Sequence, residues 1–321
     1  MFFGRILTAM VTPMNDALAV NYEEAKRLAL YLTDHGSDGV VVCGTTGESP
    51  TVTEQEKVEL YKTVKQALGE KTVIAGIGSN STSSSINLAR KAAAAGVDGL
   101  MAVVPYYNKP NQEGMFQHFK AIAEATSLPL MLYNIPGRAS VNMLPETVKR
   151  LSEIPNIVAI KEAAGSLDQV SELKRMLPAG FSVYSGDDSM TLPMLALGCS
   201  GIVSVAAHVI GDEMKAMVDA WFTGNTALAT KLHLDLFPIF KGIFITTNPV
   251  PIKALLNMTG IKAGGVRLPL VNATAEEMKF LKKMLNDFKK VYVSSNDSSN
   301  NVTHIVTELK VASEKLNDIT V

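Results

Sequence analysis

A closed α/β architecture, a (β/α)₈ TIM barrel with a C-terminal helical extension, is the fold this sequence predicts, and three observations predict it. Eight apolar, β-branched runs recur at intervals of roughly twenty to thirty-odd residues, and barrels of this kind typically take about 250 residues. Nearly every run is followed by a segment with helical spacing and its own start signal. Each run is apolar almost throughout, as expected of a parallel strand covered on both faces. An open doubly wound sheet, the competing fold, normally meets a nucleotide at a Gly-rich turn after its first strand. Here the first strand runs into Thr12-Pro13-Met14-Asn15, which offers no such turn.

In chain order, strands are expected at Ile6–Val11, Gly39–Gly44, Thr72–Gly78, Gly99–Pro105, Leu128–Asn134, Ile157–Glu162, Phe181–Gly186 and Gly201–Ala206. Between the first two, Asn21 and Glu24 open a helix with Ala25, Leu28, Ala29 and Leu32 on one face. Thr53 and Glu56 form a capping box ahead of Val58, Tyr61, Val64 and Leu68, each partner satisfying a free amide of the first turn. Pro145 suits the first turn of a later helix that carries Val148 and Leu151. Gly36, Gly69 and Gly96 stand where helices should stop. After Ala207 the pattern turns helical, at Asp212–Phe222, Ala227–Phe237, Pro251–Thr259 and Ala275–Lys290. The expected division is a barrel over 1–224, a C-terminal helical region over 225–293, a Ser/Asn/Asp linker over 294–301, and an appended amphipathic helix over 302–321.

Composition narrows the function. The chain has 321 residues, 47% hydrophobic and 19% charged, which describes a filled core. Thirty basic residues against 31 acidic give a net charge of −1, so no basic excess is present to neutralise a nucleic-acid backbone. No apolar run approaches the ~18 residues needed to cross a bilayer. The N-terminal segment reads as a first strand, not a signal peptide, because Arg5 and Pro13 interrupt it. Cys43 and Cys199 sit in apolar runs, which suits buried thiols in a reducing cytoplasm. The five histidines never fall at metal-ligand spacing, so no metal site is expected.

Barrel active sites lie where the strands end. The second strand runs into Gly44-Thr45-Thr46-Gly47-Glu48-Ser49, where amides and hydroxyls can converge on a carboxylate or phosphate. An ordinary Gly-rich turn would look the same. Tyr106 and Tyr107 end the fourth strand, and Tyr133-Asn134-Ile135-Pro136-Gly137-Arg138 ends the fifth. Such tyrosines are commonly rim fillers, but two phenol rims followed by an arginine also suit a proton relay and a carboxylate clamp. The sixth strand carries Lys161 inside Ile157-Val158-Ala159-Ile160-Lys161-Glu162. A buried lysine is rarely tolerated unless paired with a carboxylate. The alternative is a Schiff-base lysine, whose amine must be neutral to attack a carbonyl; lowering its pKa from ~10.4 to 7–8 takes about 3.5–5 kcal/mol of lost solvation. Asp187 and Asp188 could together hold Mg²⁺, but neighbours in a turn diverge and Asp caps helices well, so a loop-building role is expected.

Together with Asn248-Pro249-Val250-Pro251-Ile252-Lys253, these motifs stand in the order and spacing of the dihydrodipicolinate synthase family. That family lies within the pyruvate-dependent class I aldolase/lyase superfamily, and the chain resembles it over roughly residues 1–290. The resemblance implies that Lys161 forms an imine with pyruvate and that Thr45 and Thr46 hold its carboxylate. It implies that Tyr133 is the general acid/base, with Thr46 linking its phenol to a Tyr107 contributed by a neighbouring subunit. Arg138 would grip the carboxylate of L-aspartate 4-semialdehyde, and Gly186 and Val203 would contribute carbonyl contacts near the imine. No metal or organic cofactor is implied, and the assembly would be a homotetramer built from tight dimers.

Two departures qualify the resemblance. Ala139 follows Arg138 where many relatives have threonine. The positions that surround the end-product lysine in inhibited members are Asn80, Ser84, Tyr106, Glu54 and Lys57 here. An ammonium at Lys57 and the missing carboxylate at Ser84 disfavour a cationic effector, so little or no feedback by L-lysine is expected. The alternatives are an aldolase releasing pyruvate from a 2-keto-3-deoxy sugar acid or N-acetylneuraminate, and a non-catalytic keto-acid-binding paralogue.

Overall fold

The computed structural model describes residues 3–296. Eight parallel strands, β1 (Ile6–Ala9), β2 (Gly39–Val42), β3 (Thr72–Gly76), β4 (Gly99–Val103), β5 (Leu130–Asn134), β6 (Ile157–Glu162), β7 (Ser182–Ser185) and β8 (Gly201–Ser204), pair in sequence order and close β8 onto β1. The helices between and after them are α1 (Tyr22–Asp34), α2 (Glu54–Leu68), α3 (Thr82–Ala94), α4 (Gln112–Glu124), α5 (Pro136–Ala139), α6 (Pro145–Leu151), α7 (Leu167–Met176), α8 (Thr191–Ala196), α9 (Ala207–Phe222), α10 (Thr226–Gly242), α11 (Val250–Met258) and α12 (Ala275–Asn296). The expected TIM barrel is the fold observed.

Local chemistry explains the boundaries. Asn21 accepts from the Glu24 amide at 3.1 Å, and the Thr53–Glu56 capping box is formed in both directions. Helix α1 buries the predicted Ala25, Leu28, Ala29 and Leu32. Gly36 ends its turn at φ 84°, and a Cβ there would lie 2.2 Å from the Gly211 carbonyl oxygen, so both conformation and space require glycine. Several strands stop earlier than their apolar runs. In β2 the cause is Cys43, whose φ of 57° turns the chain out of the ladder.

Strand alternation sorts the core into two layers. Leu7, Ala9, Val41, Ile74, Met101, Met131, Tyr133, Ala159, Tyr184 and Val203 fill the barrel interior, and a larger layer packs between strands and helices. Three helix boundaries also differ from expectation. Helix α9 starts at Ala207 instead of Asp212, with non-helical φ/ψ at Ile210. Helix α10 continues through Pro238 to Gly242, where Ile239 and Phe240 are buried; that burial outweighs the hydrogen bond a proline removes. Helix α12 continues to Asn296, so residues 294–296 extend the helix instead of opening the linker. The remainder of the expected linker and the segment 302–321 lie outside the described residues.

Candidate active site

Strand β6 places Lys161 inside the barrel. Ala159 and Lys161 share the inward parity, while Ile160 and Glu162 face the helices. Glu162 accepts from Asn134 Nδ2 at 3.1 Å and from Gln169 Nε2 at 3.1 Å, which holds the strand from behind. Lys161 pairs in register with Tyr133 on β5 and Tyr184 on β7. Its Nζ lies 4.3 Å from the centre of the Tyr133 ring, and the residue is 5% exposed. Among the described residues no carboxylate forms an ion pair with it. Burial lowers its pKa to about 8; the Arg138 charge acts in the same direction and Asp188 opposes both. Asp188 is itself occupied, accepting from Ser204 Oγ at 2.5 Å and from the Val205 and Ala206 amides at 3.1 Å. It thus builds the β8 loop, and Asp187 caps the turn at Ser189. Among the described residues no cluster of three metal-ligating side chains occurs.

Gly186, at the end of β7, lies against the lysine stem. A Cβ there would come within 3.0 Å of Lys161 Cε and 2.7 Å of the Ala163 Cβ. Val203, on β8, is buried in the same interior layer.

The β2–α2 turn presents Thr45 and Thr46. Gly47 is pressed to 3.0 Å of Cys43 at its would-be Cβ, and the turn closes through Gly47 and Ser49 amides on the Gly44 carbonyl at 3.1 and 3.2 Å. The amides of Thr45 and Thr46 meet no protein acceptor among the described residues, which leaves two donors side by side for an anion. Burial pushes the Tyr133 phenol up to about 12, and it is the side chain of Thr45, not of Thr46, that acts against this rise. The Thr46 hydroxyl, expected to link the Tyr133 phenol to Tyr107, accepts from Asn248 Nδ2 at 2.9 Å. Two adjacent threonines in a tight turn diverge, and their pattern alone does not say which one meets the phenol.

A cavity of about 200 Å³ opens above, lined by Cys43, Thr45, Tyr106, Tyr133 and Arg138 among others. Arg138 sits in the single turn of α5 at the rim and donates from Nη2 to the Asn248 carbonyl at 3.3 Å. Lys161, Tyr133, Thr45, Gly186 and Arg138 are thus brought together. Tyr107 is not: it is 88% exposed, at φ 72°, on a loop pinned by Asn108 Nδ2 on the Asn80 carbonyl at 2.9 Å.

The C-terminal region holds this turn from outside the barrel. Lys253 on α11 and Glu48 form an ion pair at 2.7 Å with both side chains 2% exposed, and Glu48 also accepts from the Arg267 amide at 2.9 Å. The Arg267 guanidinium clasps Glu56 at 2.6 and 2.8 Å and the Thr51 carbonyl at 2.7 Å. Asn248, Lys253 and Arg267 were given no role by motif reasoning. The available signal was Lys253 in the apolar helix Val250-Pro251-Ile252-Lys253-Ala254-Leu255, open to the buried-lysine argument applied to Lys161. In the second predicted cluster, Glu54 is paired with Lys91 and accepts from Asn87 at 2.9 Å. Ser84 is exposed, Asn80 and Tyr106 are half-buried, and burial lowers the Lys57 ammonium pKa.

Comparison with known proteins decides the family. The model of the dihydrodipicolinate synthetase family matches residues 2–288. The chain belongs to the dihydrodipicolinate synthetase family. A 4-hydroxy-tetrahydrodipicolinate synthase of Desulforamulus reducens is 61% identical over 287 residues, 89% of this chain and 97% of that protein. The crystal structure of a dihydrodipicolinate synthase from Bacillus anthracis superposes with a TM-score of 0.88 at 50% identity, covering 89% of this chain and 99% of the other. One from Cyanidioschyzon merolae, solved with lysine bound, has a TM-score of 0.88 at 46% identity over 90% and 99% of the two chains. As a member of the dihydrodipicolinate synthetase family the chain is a lyase of the class I aldolase type, and its reaction is the 4-hydroxy-tetrahydrodipicolinate synthesis of lysine and diaminopimelate formation. Residues 289–321 lie beyond the family match. No helix among the described residues is long and apolar enough to cross a membrane.

Proposed function

We propose that the chain condenses pyruvate with L-aspartate 4-semialdehyde through an imine on Lys161. The supporting observation is a buried amine, unpaired with any carboxylate among the described residues and lowered to about 8, set against the ring of Tyr133, which lines a cavity together with Arg138. The neutral amine adds to the keto carbon of pyruvate, and loss of water gives the protonated imine. That imine is an electron sink, so the methyl group releases a proton and the resulting enamine attacks the aldehyde carbon, whose oxygen takes up a proton. The substrate's own amine then displaces Lys161 and closes the ring. Overall, one water leaves and the lysine is returned.

Within this reading the Thr45 and Thr46 amides and hydroxyls hold the pyruvate carboxylate. Tyr133, which lines the cavity with Thr45, shuttles the protons. Arg138 meets the second carboxylate, and Gly186 and Val203 present carbonyls to the imine. An exposed Tyr107 suits contribution to a neighbouring subunit, and hence tight dimers paired into a tetramer. We read residues 1–224 as the catalytic barrel, 225–293 as the region that braces the threonine turn, and 302–321 as an addition to it. We also read the Asn80–Tyr106 cluster as unable to hold L-lysine, since Glu54 is engaged by Lys91 and no carboxylate stands at Ser84. Borohydride reduction in the presence of pyruvate tests the central claim. A reduced pyruvyl adduct on Lys161, lost in Lys161→Ala, is expected; an adduct elsewhere or none refutes it.

A further inference from the structure

Asn248 stands between the two anion-binding ends of the site. It enters from the segment leading into α11 and is 5% exposed. Its Nδ2 donates to Thr46 Oγ1 at 2.9 Å, while its backbone carbonyl accepts from Arg138 Nη2 at 3.3 Å. A hydroxyl that accepts from an amide still has its proton to give. Thr46 is 2% exposed and its hydroxyl has no other partner among the described residues, so the Asn248 bond leaves the Thr46 proton free for an incoming carboxylate. An aspartate of the same shape would do the reverse, accepting that proton and setting a negative charge beside the anion site.

We propose that Asn248 is a positioning residue that keeps Thr46 a hydrogen-bond donor to the carboxylate of the keto acid and, through its carbonyl, anchors Arg138 for the carboxylate of the aldehyde. The proposal rests on the reading of Thr46 and Arg138 as carboxylate holders given above.

Steady-state kinetics in both substrates, with thermal unfolding alongside, compare Asn248→Ala and Asn248→Asp. The pyruvate KM rises about tenfold or more in Asn248→Ala while kcat at saturating pyruvate stays within a few-fold. Asn248→Asp is worse than Asn248→Ala for pyruvate, and the aldehyde KM moves less in both, since the carbonyl remains. A structural asparagine predicts the opposite order, because aspartate preserves its volume; that order, or an unchanged pyruvate KM, overturns the proposal. Should the aspartate variant fail to fold, a cycle with Thr46→Val decides. Asn248→Ala added to Thr46→Val then changes the pyruvate KM by less than about twofold, and additive effects overturn the proposal. Borohydride trapping of the unmodified enzyme separates the two levels. An untrapped enzyme removes the Schiff-base reading and this proposal with it, whereas a trapped enzyme with pyruvate-indifferent Asn248 variants removes this proposal alone.

Discussion

Lys161 and Lys253 are both buried, and their partners decide what each one does. Lys253 meets Glu48 at 2.7 Å and the Gly265 carbonyl at 2.6 Å, the paired arrangement by which buried ammonium groups are normally tolerated. Among the described residues Lys161 has the face of Tyr133 and the charge of Asp188 but no ion pair, so burial acts on its amine with little compensation. Because only the neutral amine attacks pyruvate, kcat/KM for pyruvate should climb with pH up to about 8 and level off above it. Tyr133, pushed up to about 12, adds no second limb near neutrality. A profile already flat on the acid side of neutrality would count against Lys161 as the nucleophile. Gly186→Ala tests the space around the same stem. The new Cβ lands 3.0 Å from Lys161 Cε and 2.7 Å from the Ala163 Cβ, so the lysine must shift. Imine trapping should slow by more than about tenfold, while stability falls by only about 1–3 kcal/mol; trapping at the normal rate would show that the stem tolerates displacement.

Helix α11 and the segment leading into it brace the threonine turn, through the Lys253–Glu48 pair and the Asn248 bond to Thr46. Removing one partner of a buried pair leaves the other charge unpaired, so Lys253→Met should cost about 3–5 kcal/mol in urea unfolding and raise the pyruvate KM. Adding Glu48→Gln should return most of that stability; failure to do so would mean the pair is not the cause. Helices α2 and α3 carry the other element-scale expectation. With Glu54 tied to Lys91 across them, sub-millimolar L-lysine should leave the initial rate unchanged, and clear inhibition would refute it. The strands, the capping box and Lys161 were legible in the sequence because each is written in local spacing or in one residue's cost. The brace was not, because Glu48 and Lys253 are 205 positions apart and Glu48 and Arg267 are 219 apart. No local period records such a contact. The choice of Thr45 over Thr46 was equally hidden, since it depends on how a turn with positive φ at Cys43 and Glu48 aims two neighbours.

Over the whole molecule, buried titratable groups oppose one another in their response to acid. His208 is locked neutral, its Nε2 accepting from the Val11 amide at 3.1 Å and its Nδ1 bonded to the Val205 carbonyl at 2.8 Å; burial lowers it, like His118, to about 4. Between the ordinary 6.5 and about 4 the unfolded chain binds protons these rings refuse, so both take away stability as pH falls. Asp188 and Glu213 are raised by burial to about 6 and about 7, and their sign is reversed. They are ionised at a cost when pH is high, and protonation in the folded state relieves that cost as pH falls. The two sets act in opposite directions from pH 7 to about 4.5, with Glu162, raised by burial, on the side of the carboxyls and His233, lowered by burial, on that of the rings, so the unmodified protein should show a shallower profile there than either set alone would give. Glu213 is the group to remove. It is 4% exposed, one carboxylate oxygen lacks any partner among the described residues, and the charges of Asp212 and His35 act on it in opposite directions. At pH 8 Glu213→Gln should gain about 1–3 kcal/mol by removing a buried charge. The same variant should then lose stability towards acid more steeply than the unmodified protein, because Asp188 alone offsets only part of what the histidines take away. Denaturant midpoints at a fixed protein concentration across this range read both effects. A variant that is less stable at pH 8, or that keeps the shallow profile, would show that the carboxyl is not an uncompensated charge and that the balance has another origin.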